Sequence, residues 1–175
     1  IQTDCPACGS NKIKESIDKE SFTYEVCNDC DTIYVNPRPD IESLNRYYTD
    51  SPSTKYWVNE FFLPVAKARQ EKIFKPRAKF VANYFAEHEN LQIADIGAGF
   101  GLFLEELKKI KPDYGLTAIE PSNDMVEICR NKKLNVIPLL LEEINPEKYK
   151  FDVLTSFELF EHLQDPKYFL EQVLK

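Results

Sequence analysis

The sequence lacks a long apolar run, an excess of basic charge and a leader segment. None of its hydrophobic stretches approaches the roughly 20 residues of a membrane-spanning helix. No basic and then apolar segment opens the chain, so we expect no secretory signal and a cytoplasmic protein. The 175 residues carry 29 acidic and 22 basic side chains, and the net charge of −7 disfavours bulk binding of nucleic acid. A disordered or collagen-like chain is excluded by 12 Phe and 9 Tyr.

Cysteine is sparse except near the start of the chain. Cys5 and Cys8 form one Cys-x2-Cys pair and Cys27 and Cys30 form a second, a spacing typical of structural zinc sites. Two residues between thiolates allow one tight turn to direct both sulfurs at a single tetrahedral ion. The alternative is two disulfides in a secreted module. Four thiolates leave no open position on the metal, so we expect zinc to fold residues 1–39 as a ribbon rather than to catalyse.

Residues 40–88 are expected to form a helical linker or cap. Pro37 and Pro39 mark its boundary with the ribbon, because two nearby prolines prevent regular structure. Asp40 is suited to cap a short helix that ends near Tyr48.

After a loop at residues 49–54, a longer helical region is predicted from about residue 56 to 85, with interruptions near Pro64 and Pro76. Its second half is rich in basic side chains, which form either a solvated helix face or a contact with an anion. These residues are Lys67, Arg69, Lys72, Lys75, Arg77 and Lys79.

From residue 89 onward, short apolar segments alternate with helical ones. Strands are predicted at residues 91–96, 116–119, 136–137 and 151–157. Helices are predicted at residues 102–110, from an N-cap at Ser122 to about residue 132, and after Asp165. The alternation indicates βαβ units, so residues 89–175 are predicted to form an α/β, Rossmann-like parallel sheet with flanking helices. Cys129, alone in a helical stretch, is expected to be a buried structural thiol.

A glycine-rich loop follows the first of these strands. Asp95 and Ile96 lead into Gly97-Ala98-Gly99-Phe100-Gly101, where glycine permits a sharp turn and the close approach of a ligand. In a doubly wound sheet, nucleotides bind at this carboxyl edge. Glu120 ends the second strand, where an acid accepts hydrogen bonds from two ribose hydroxyls. The sequence therefore predicts a site for a nucleoside-containing cofactor.

The glycine spacing favours S-adenosylmethionine over NAD. Dinucleotide sites have the pattern Gly-x-Gly-x-x-Gly, whereas this loop has Gly-x-Gly-x-Gly and is preceded by Asp95. That carboxylate would repel a pyrophosphate, but it would attract the ammonium and sulfonium groups of S-adenosylmethionine.

Three segments resemble the successive motifs of class I S-adenosylmethionine-dependent methyltransferases. They are Asp95-Ile-Gly-Ala-Gly-Phe-Gly101, Ile119-Glu120-Pro121-Ser122 and Phe151-Asp-Val-Leu-Thr-Ser-Phe157-Glu-Leu-Phe-Glu161-His162-Leu. The four-cysteine ribbon followed by Asn36-Pro-Arg-Pro39 is similar to that of bacterial sugar and surface-polysaccharide methyltransferases, including deoxysugar C-methyltransferases. The resemblance implies a transferase for a small-molecule acceptor, namely a nucleotide-linked sugar or glycan intermediate.

The resemblance also implies roles for individual residues. Asp95 is expected near the amino group of the cofactor or as a support for the loop. Leu141 and Glu142 are expected beside the adenine, while Phe157 and Glu158 face the methionyl end. The full set implied for cofactor binding is Asp95, Gly97, Ala98, Gly99, Gly101, Glu120, Pro121, Leu141, Glu142, Phe157 and Glu158.

Glu161 and His162 match a Glu-His pair of this lineage, in which the histidine is a candidate catalytic base. An acceptor carbon or oxygen must lose a proton near neutral pH, which suits imidazole. The alternative is that His162 caps a turn. His88 lies between Glu87 and Glu89 and is expected to be structural.

The resemblance implies a seven-stranded sheet, whereas this chain supplies four strands. Because it begins at Ile1 and ends at Lys175, we expect a C-terminally truncated sequence whose acceptor residues are incomplete. Such a fragment is expected to transfer no methyl group by itself and to self-associate through its incomplete sheet edge.

Two other functions are compatible with these motifs, an RNA methyltransferase whose ribbon grips its substrate and a non-catalytic cofactor-binding scaffold. Residues 1–40 hold twice as many acidic as basic side chains, which disfavours contact with phosphates. The intact glycine loop and Glu120 weigh against the scaffold.

Overall fold

A computed structural model of the chain describes residues 1–50, 56, 60 and 63–175, which form two compact units. The first unit comprises Ile1–Thr54 with Leu163–Glu171, and the second comprises Lys55–His162 with Gln172–Lys175. The division of the chain into segments 1–39, 40–88 and 89–175 stays a prediction.

The first unit contains a three-stranded antiparallel sheet. Its strands are β1 (Ile13–Lys19), β2 (Phe22–Cys27) and β3 (Ile33–Val35), with β2 in the middle. Ile17 pairs with Tyr24, and Tyr24 pairs in turn with Val35. The buried apolar cluster of this unit consists of Cys5, Cys27 and Tyr34, so two of its three members are candidate metal ligands.

Helix α1 follows the ribbon at Ile41–Asp50. The Asp40 carboxylate accepts a hydrogen bond from the Ser43 backbone N–H at 2.7 Å, so the predicted cap is confirmed. The helix continues through residue 50, so the loop predicted from residue 49 begins too early. The rest of that loop, residues 51–54, lies outside the described residues.

The second unit begins with a nearly continuous helix. Its parts are α2 (Leu63–Arg69), a π-helical turn (Gln70–Phe74) and α3 (Lys75–Tyr84). The interruption predicted near Pro76 takes the form of the π-helical turn, and Pro76 lies in the first turn of α3. Pro64 is the second residue of α2, and residues 61 and 62 before this helix lie outside the described residues, so the interruption near Pro64 stays a prediction. A proline ring normally clashes with the carbonyl four residues earlier, and the wider π-helical turn before Pro76 relieves that clash.

A four-stranded parallel sheet forms the rest of the second unit. Its strands are β4 (Gln92–Ile96), β5 (Gly115–Ile119), β6 (Asn135–Ile137) and β7 (Val153–Ser156), in the order β6-β5-β4-β7. Helices α4 (Leu102–Ile110) and α5 (Asn123–Asn131) connect the first three strands. The predicted α/β class with a parallel sheet is therefore confirmed.

The core of the second unit lies between β4, β5 and their neighbouring helices. Ile93, Phe103 and Leu104 are almost completely buried there, together with Tyr114 and Cys129. The Tyr114 hydroxyl lies 3.0 and 3.1 Å from two backbone carbonyl oxygens that can share its single proton, so this large side chain is buried without an unsatisfied polar atom. Cys129 is buried as predicted.

The last helix, α6, spans Pro166–Val173. Asp165 accepts a hydrogen bond from the Tyr168 backbone N–H at 2.9 Å, as expected of an N-cap. Within the first unit, the Arg38 guanidinium donates to the Gln164 carbonyl at 2.6 Å, and the Gln164 amide donates to the Pro39 carbonyl at 2.7 Å. No described helix combines the length and apolar character needed to cross a bilayer.

Candidate functional site

The carboxyl ends of three parallel strands bring most of the predicted cofactor residues to one edge of the sheet. β4 leads into the glycine loop, β5 into Glu120 and β7 into residues 157–158. Ile96 pairs with Ile119 on one side and with Ser156 on the other, so the three segments leave the sheet side by side.

The glycine loop takes a backbone course that requires glycine. Gly97, Gly99 and Gly101 have φ angles of +69°, +55° and +66°. A Cβ at Gly101 would lie 2.6 Å from a methyl carbon of Leu134, whereas a Cβ at Gly99 would meet open space. The Gly97 N–H donates to the Ile119 carbonyl at 2.9 Å, which ties the loop to β5. The loop is therefore fixed at both ends and approachable at its middle.

Glu120 lies under this loop with 6% of its surface exposed. Its two carboxylate oxygens accept backbone N–H bonds from Gly99 at 2.8 Å and from Ser122 at 2.9 Å. Burial raises the pKa of Glu120, and the two N–H donors partly counter this effect. Ser122 occupies the N-cap position of α5, but its side chain makes no capping hydrogen bond, contrary to the capping prediction.

Asp95 is buried at the end of β4 and accepts a hydrogen bond from the Thr155 hydroxyl at 2.7 Å. Burial raises the pKa of Asp95 to about 7, the charge of Glu120 adds to that effect, and Arg77 opposes it. The carboxyl group thus supports the loop from below, next to a second acid.

Glu158 is held by two arginines. The Arg77 guanidinium donates to Oε1 of Glu158 at 3.0 Å, and Arg69 donates to Oε2. Burial would raise the pKa of Glu158, but the two guanidiniums outweigh it and lower that pKa below its ordinary value. The half-buried ring of Phe157 packs against Phe103 at 4.8 Å between centroids.

The other predicted cofactor residues are less enclosed. Ala98 is half-buried within the glycine loop, and Pro121 is exposed. Leu141 and Glu142 belong to a 3₁₀ turn, in which Glu142 is exposed. Leu141 lines a cavity of about 130 Å³ with Ile119, so its predicted contact with adenine stays a prediction.

Glu161 and His162 lie in an exposed 3₁₀ turn, Phe160–His162, that continues from the loop after β7. The His162 backbone N–H donates to the Leu159 carbonyl at 2.9 Å. The Leu159 side chain lies 3.1 Å from the position of a Cβ on Gly97. The turn therefore adjoins the glycine loop through Leu159, and a catalytic role for His162 stays a prediction.

The four cysteines of the first unit form a separate candidate metal centre. Their Sγ atoms all lie within 4.8 Å of one another, with Cys5 and Cys27 buried and Cys8 and Cys30 exposed. The Cys5–Cys30 and Cys8–Cys27 sulfur distances are 3.6 and 3.5 Å. Tetrahedral zinc with Zn–S bonds of about 2.3 Å requires sulfur separations of roughly 3.8 Å. The donor set fits zinc, and all four cysteines are free rather than paired as disulfides.

Sequence reasoning missed three residues at the sheet edge. Thr155 reaches Asp95 because β4 and β7 pair in parallel. Arg69 and Arg77 lie in the basic segment whose function was left open, and both contact Glu158, more than 80 residues away in sequence. No local pattern marks these two among the neighbouring lysines.

The sequence of this chain matches a protein-family model and several curated proteins. A family model described as a methyltransferase domain matches residues 65–175. The ubiquinone biosynthesis O-methyltransferase of Pelagibacter ubique is 28% identical over 92 residues, which cover 50% of this chain and 38% of that protein. The enzyme of the same name from Coxiella burnetii is 24% identical over 119 residues, 63% of this chain and 49% of that protein. The chain thus spans half or less of the length of these relatives.

Solved structures share the fold of most of this chain. The plantazolicin methyltransferase BpumL in complex with S-adenosylhomocysteine has a TM-score of 0.60 and 24% identity, covering 75% of this chain and 51% of that chain. The magnesium protoporphyrin IX methyltransferase ChlM of Synechocystis with bound S-adenosylmethionine has a TM-score of 0.56 and 14% identity, covering 79% and 72%. At these identities the likeness shows the fold, which is that of class I methyltransferases.

Proposed function

Because this chain belongs to the methyltransferase-domain family, we propose that its protein transfers a methyl group from S-adenosylmethionine to a small-molecule acceptor. The observation that carries the proposal is the approachable backbone at Gly99 directly beside the buried carboxylate of Glu120. A ribose with two adjacent hydroxyls fits this combination, because both hydroxyls can donate hydrogen bonds to the Glu120 carboxylate, whose oxygens only accept.

The residues present fit this cofactor. When bound, the cofactor supplies an activated methyl group on a positively charged sulfur. Glu120 accepts hydrogen bonds from the two ribose hydroxyls. Asp95 lies near the methionyl ammonium, a cation that would favour its ionised form, or it supports the loop. The three positive-φ glycines keep side chains out of the space between them. A second carboxylate beneath the loop disfavours a pyrophosphate, so the site is unsuited to NAD.

We propose that His162, with Glu161 beside it, is the general base that removes a proton from the molecule that receives the methyl group. Both are exposed, and their turn is connected through Leu159 to the glycine loop. Imidazole is the side chain best suited to accept a proton near neutral pH, and this chemistry supports the proposed role.

For the acceptor, we infer a nucleotide-linked sugar or glycan intermediate. The support is the four-thiolate ribbon followed by Asn36-Pro-Arg-Pro39, which resembles the arrangement in deoxysugar C-methyltransferases. A ring hydroxyl is the second candidate acceptor, because the relatives from Pelagibacter and Coxiella are O-methyltransferases of ubiquinone biosynthesis. The acidic ribbon disfavours RNA.

Zinc is proposed to have a structural role in the first unit. The four sulfurs converge to within 4.8 Å, and four thiolates complete a tetrahedral coordination shell. No position is then left for a water or an acceptor, so the metal stabilises the ribbon.

Calorimetric titration with S-adenosylhomocysteine tests the cofactor site. Replacing Glu120→Ala should weaken binding about 10- to 150-fold, since a charge-assisted bond pair contributes roughly 1.5–3 kcal/mol. Glu127→Ala, which removes an exposed carboxylate from α5, is the matched control and should leave affinity unchanged. Equal affinity of Glu120→Ala and the parent protein, or tighter binding of NAD, would refute the proposal.

Turnover of the full-length protein with a panel of acceptors, measured by product mass, tests the acceptor class. Nucleotide sugars should gain 1 methyl group, about 14 Da, whereas diphenols and RNA should not. The His162→Gln variant should lose turnover while retaining its affinity for S-adenosylhomocysteine. Methylation of a diphenol alone would select the ring hydroxyl, and a methylated RNA would overturn the small-molecule reading.

A further inference from the structure

Strand β1 forms one edge of the ribbon sheet. In the order β1-β2-β3, one side of β1 pairs with β2, and none of the strands that the structure describes pairs with its other side. All seven residues of β1 are exposed to solvent. The backbone N–H and C=O groups along such an edge are available to pair with another strand.

The two edges of this sheet differ in length. β3 has three residues, whereas β1 has seven and pairs regularly with β2 from Glu15 to Lys19. A register shift lies between Ile13 and Glu15, so the ladder is irregular only at the start of β1. Short edge strands and bulges prevent unwanted pairing, and residues 15–19 have neither protection.

The charges of residues 15–19 are symmetric about Ile17. Glu15 lies two residues before it and Lys19 two residues after it. If a second copy of β1 pairs antiparallel with Ile17 opposite Ile17, each Glu15 faces a Lys19 of the other copy. These three positions lie on one face of the strand, because successive side chains point to opposite faces. Two opposite-charge pairs then flank one apolar pair.

Other registers are less favourable. Moving the second copy by two residues in one direction sets Asp18 opposite Asp18, and moving it in the other direction sets Ile17 opposite Glu15. A parallel pairing in register sets every charge opposite its own copy. Like charges that face each other destabilise a sheet, so the sequence of β1 favours antiparallel pairing centred on Ile17.

The same register extends an apolar row across both copies. Within one ribbon, Ile17 pairs with Tyr24 and Tyr24 pairs with Val35, so the three side chains share one face of the sheet. Ile17, at the open end of this row, is 42% exposed, whereas Tyr24 and Val35 are half-buried. Pairing at Ile17 joins the two rows end to end and removes apolar surface from water at the junction.

We propose that β1 is a dimerisation strand, which pairs antiparallel with β1 of a second copy of this chain, Ile17 against Ile17. The pairing joins two three-stranded sheets into one. It is separate from the edges of the parallel sheet and does not depend on the proposed methyl transfer. Because residues 15–19 alone form a smaller contact than a permanent dimer interface, we expect a dissociation constant on the order of 10 µM.

Sedimentation velocity of the full chain over a range of concentrations tests the proposal. The parent protein should change from monomer to dimer as its concentration passes about 10 µM. Glu15→Lys brings two cations opposite each other, and Lys19→Glu brings two carboxylates opposite each other. Each should weaken the dimer about tenfold or more. Glu127→Lys makes the same charge change at an exposed position of α5 and should leave the dimer unchanged.

The two weakened variants also serve as controls for each other. In an equimolar mixture, the Glu15→Lys chain can pair with the Lys19→Glu chain, and every facing pair again has opposite charges. The mixture should therefore recover the dimer, and so should the double variant Glu15→Lys/Lys19→Glu. Recovery shows that each variant is folded and that the charge pairs form between copies.

Hydrogen exchange locates the contact. As the dimer forms, backbone amides of β1 should gain protection, whereas those of β3, the other edge of the same sheet, should not change.

A protein that remains monomeric up to about 100 µM would overturn the proposal. A dimer that both single variants leave unchanged would overturn it too, because the contact would then lie on another surface, such as an edge of the parallel sheet. A mixture that stays monomeric, although each variant shows the parent's thermal unfolding, would also contradict the pairing of Glu15 with Lys19.

Discussion

The ribbon and the parallel sheet bury their residues in opposite ways. All seven residues of β1 are exposed, whereas four of the five residues of β4 are buried. The buried cluster of the ribbon is Cys5, Cys27 and Tyr34, while that of the sheet extends over several strands and helices. A ribbon with so little apolar burial requires another source of folding free energy, and the metal proposed for its four thiolates would supply it.

The difference extends to function. In the first unit, four cysteine thiols converge on one point, where together they can fill the coordination shell of a single metal ion. In the second unit, Glu120, Asp95 and Glu158 are distributed along one sheet edge around an approachable loop. A closed donor set serves stability, and an open edge serves binding.

Removal of zinc should have the largest effect and should be confined to the first unit. Apparent folding free energy on the order of 10 kcal/mol is linked to a structural zinc ion, so chelation should abolish amide protection in β1, β2 and β3. Hydrogen exchange should show β4 and β5 unchanged. Cys27→Ser should lose the metal, whereas Cys129→Ser, its matched control, should retain one zinc per chain.

The zinc assignment also has a simple failure. Protein purified without added zinc that holds less than about half an equivalent, together with disulfides found by mass spectrometry, would contradict it. The comparison between a metal-stabilised ribbon and an apolar sheet would then not hold.

A smaller effect, on the order of 3 kcal/mol, is expected from Asp95 in the second unit. Its folded pKa is raised from 3.8 to about 7, so the protonated form is favoured in the folded state. This contribution to stability is complete below about pH 4 and is lost as pH rises to about 7.

The Asp95→Asn variant has no carboxyl group to ionise at this position, so its stability should not fall with pH for this reason. From pH 5 to 8, the unfolding free energy of the variant should therefore rise relative to that of the parent protein. Exchange rates of the β4 amides measure this gap, with the metal-bound ribbon as an internal reference. A gap that does not change with pH would show that Asp95 is ionised throughout.

The smallest effect is expected at the glycine loop. Gly101→Ala should destabilise the second unit by about 1–3 kcal/mol, since the new Cβ meets Leu134 at 2.6 Å in a left-handed backbone. Gly99→Ala has a similar φ angle but open space, so thermal unfolding should show a smaller loss. Equal losses would mean that backbone strain alone explains both variants.

Local patterns in the sequence were sufficient to predict much of the second unit. The bounds of α4, Leu102–Ile110, coincide with the prediction because its apolar residues recur with helical spacing between a glycine and a lysine-rich end. The strands were found because short apolar runs end at glycine or at an acid. The adjacency of the glycine loop and Glu120 followed from the rule that parallel strands end at the same edge.

What failed depended on contacts distant in sequence or on unusual backbone geometry. An interruption was predicted near Pro76, but its form, a π-helical turn that continues the helix, depends on a change in backbone hydrogen bonding that the proline rule does not describe. Ser122 does occupy the predicted N-cap position, but its side chain makes no capping hydrogen bond. Its backbone N–H donates to the Glu120 carboxylate. The pairing of Arg69 with Glu158 joins residues 89 positions apart, and no periodicity encodes it.

Hydrogen exchange with and without S-adenosylhomocysteine tests the central claim, that the open sheet edge is the cofactor site and the ribbon is not. The account predicts added protection at residues 95–101 and 119–122, with none in residues 1–39. Protection confined to the ribbon, or no change at the glycine loop at saturating ligand, would contradict it.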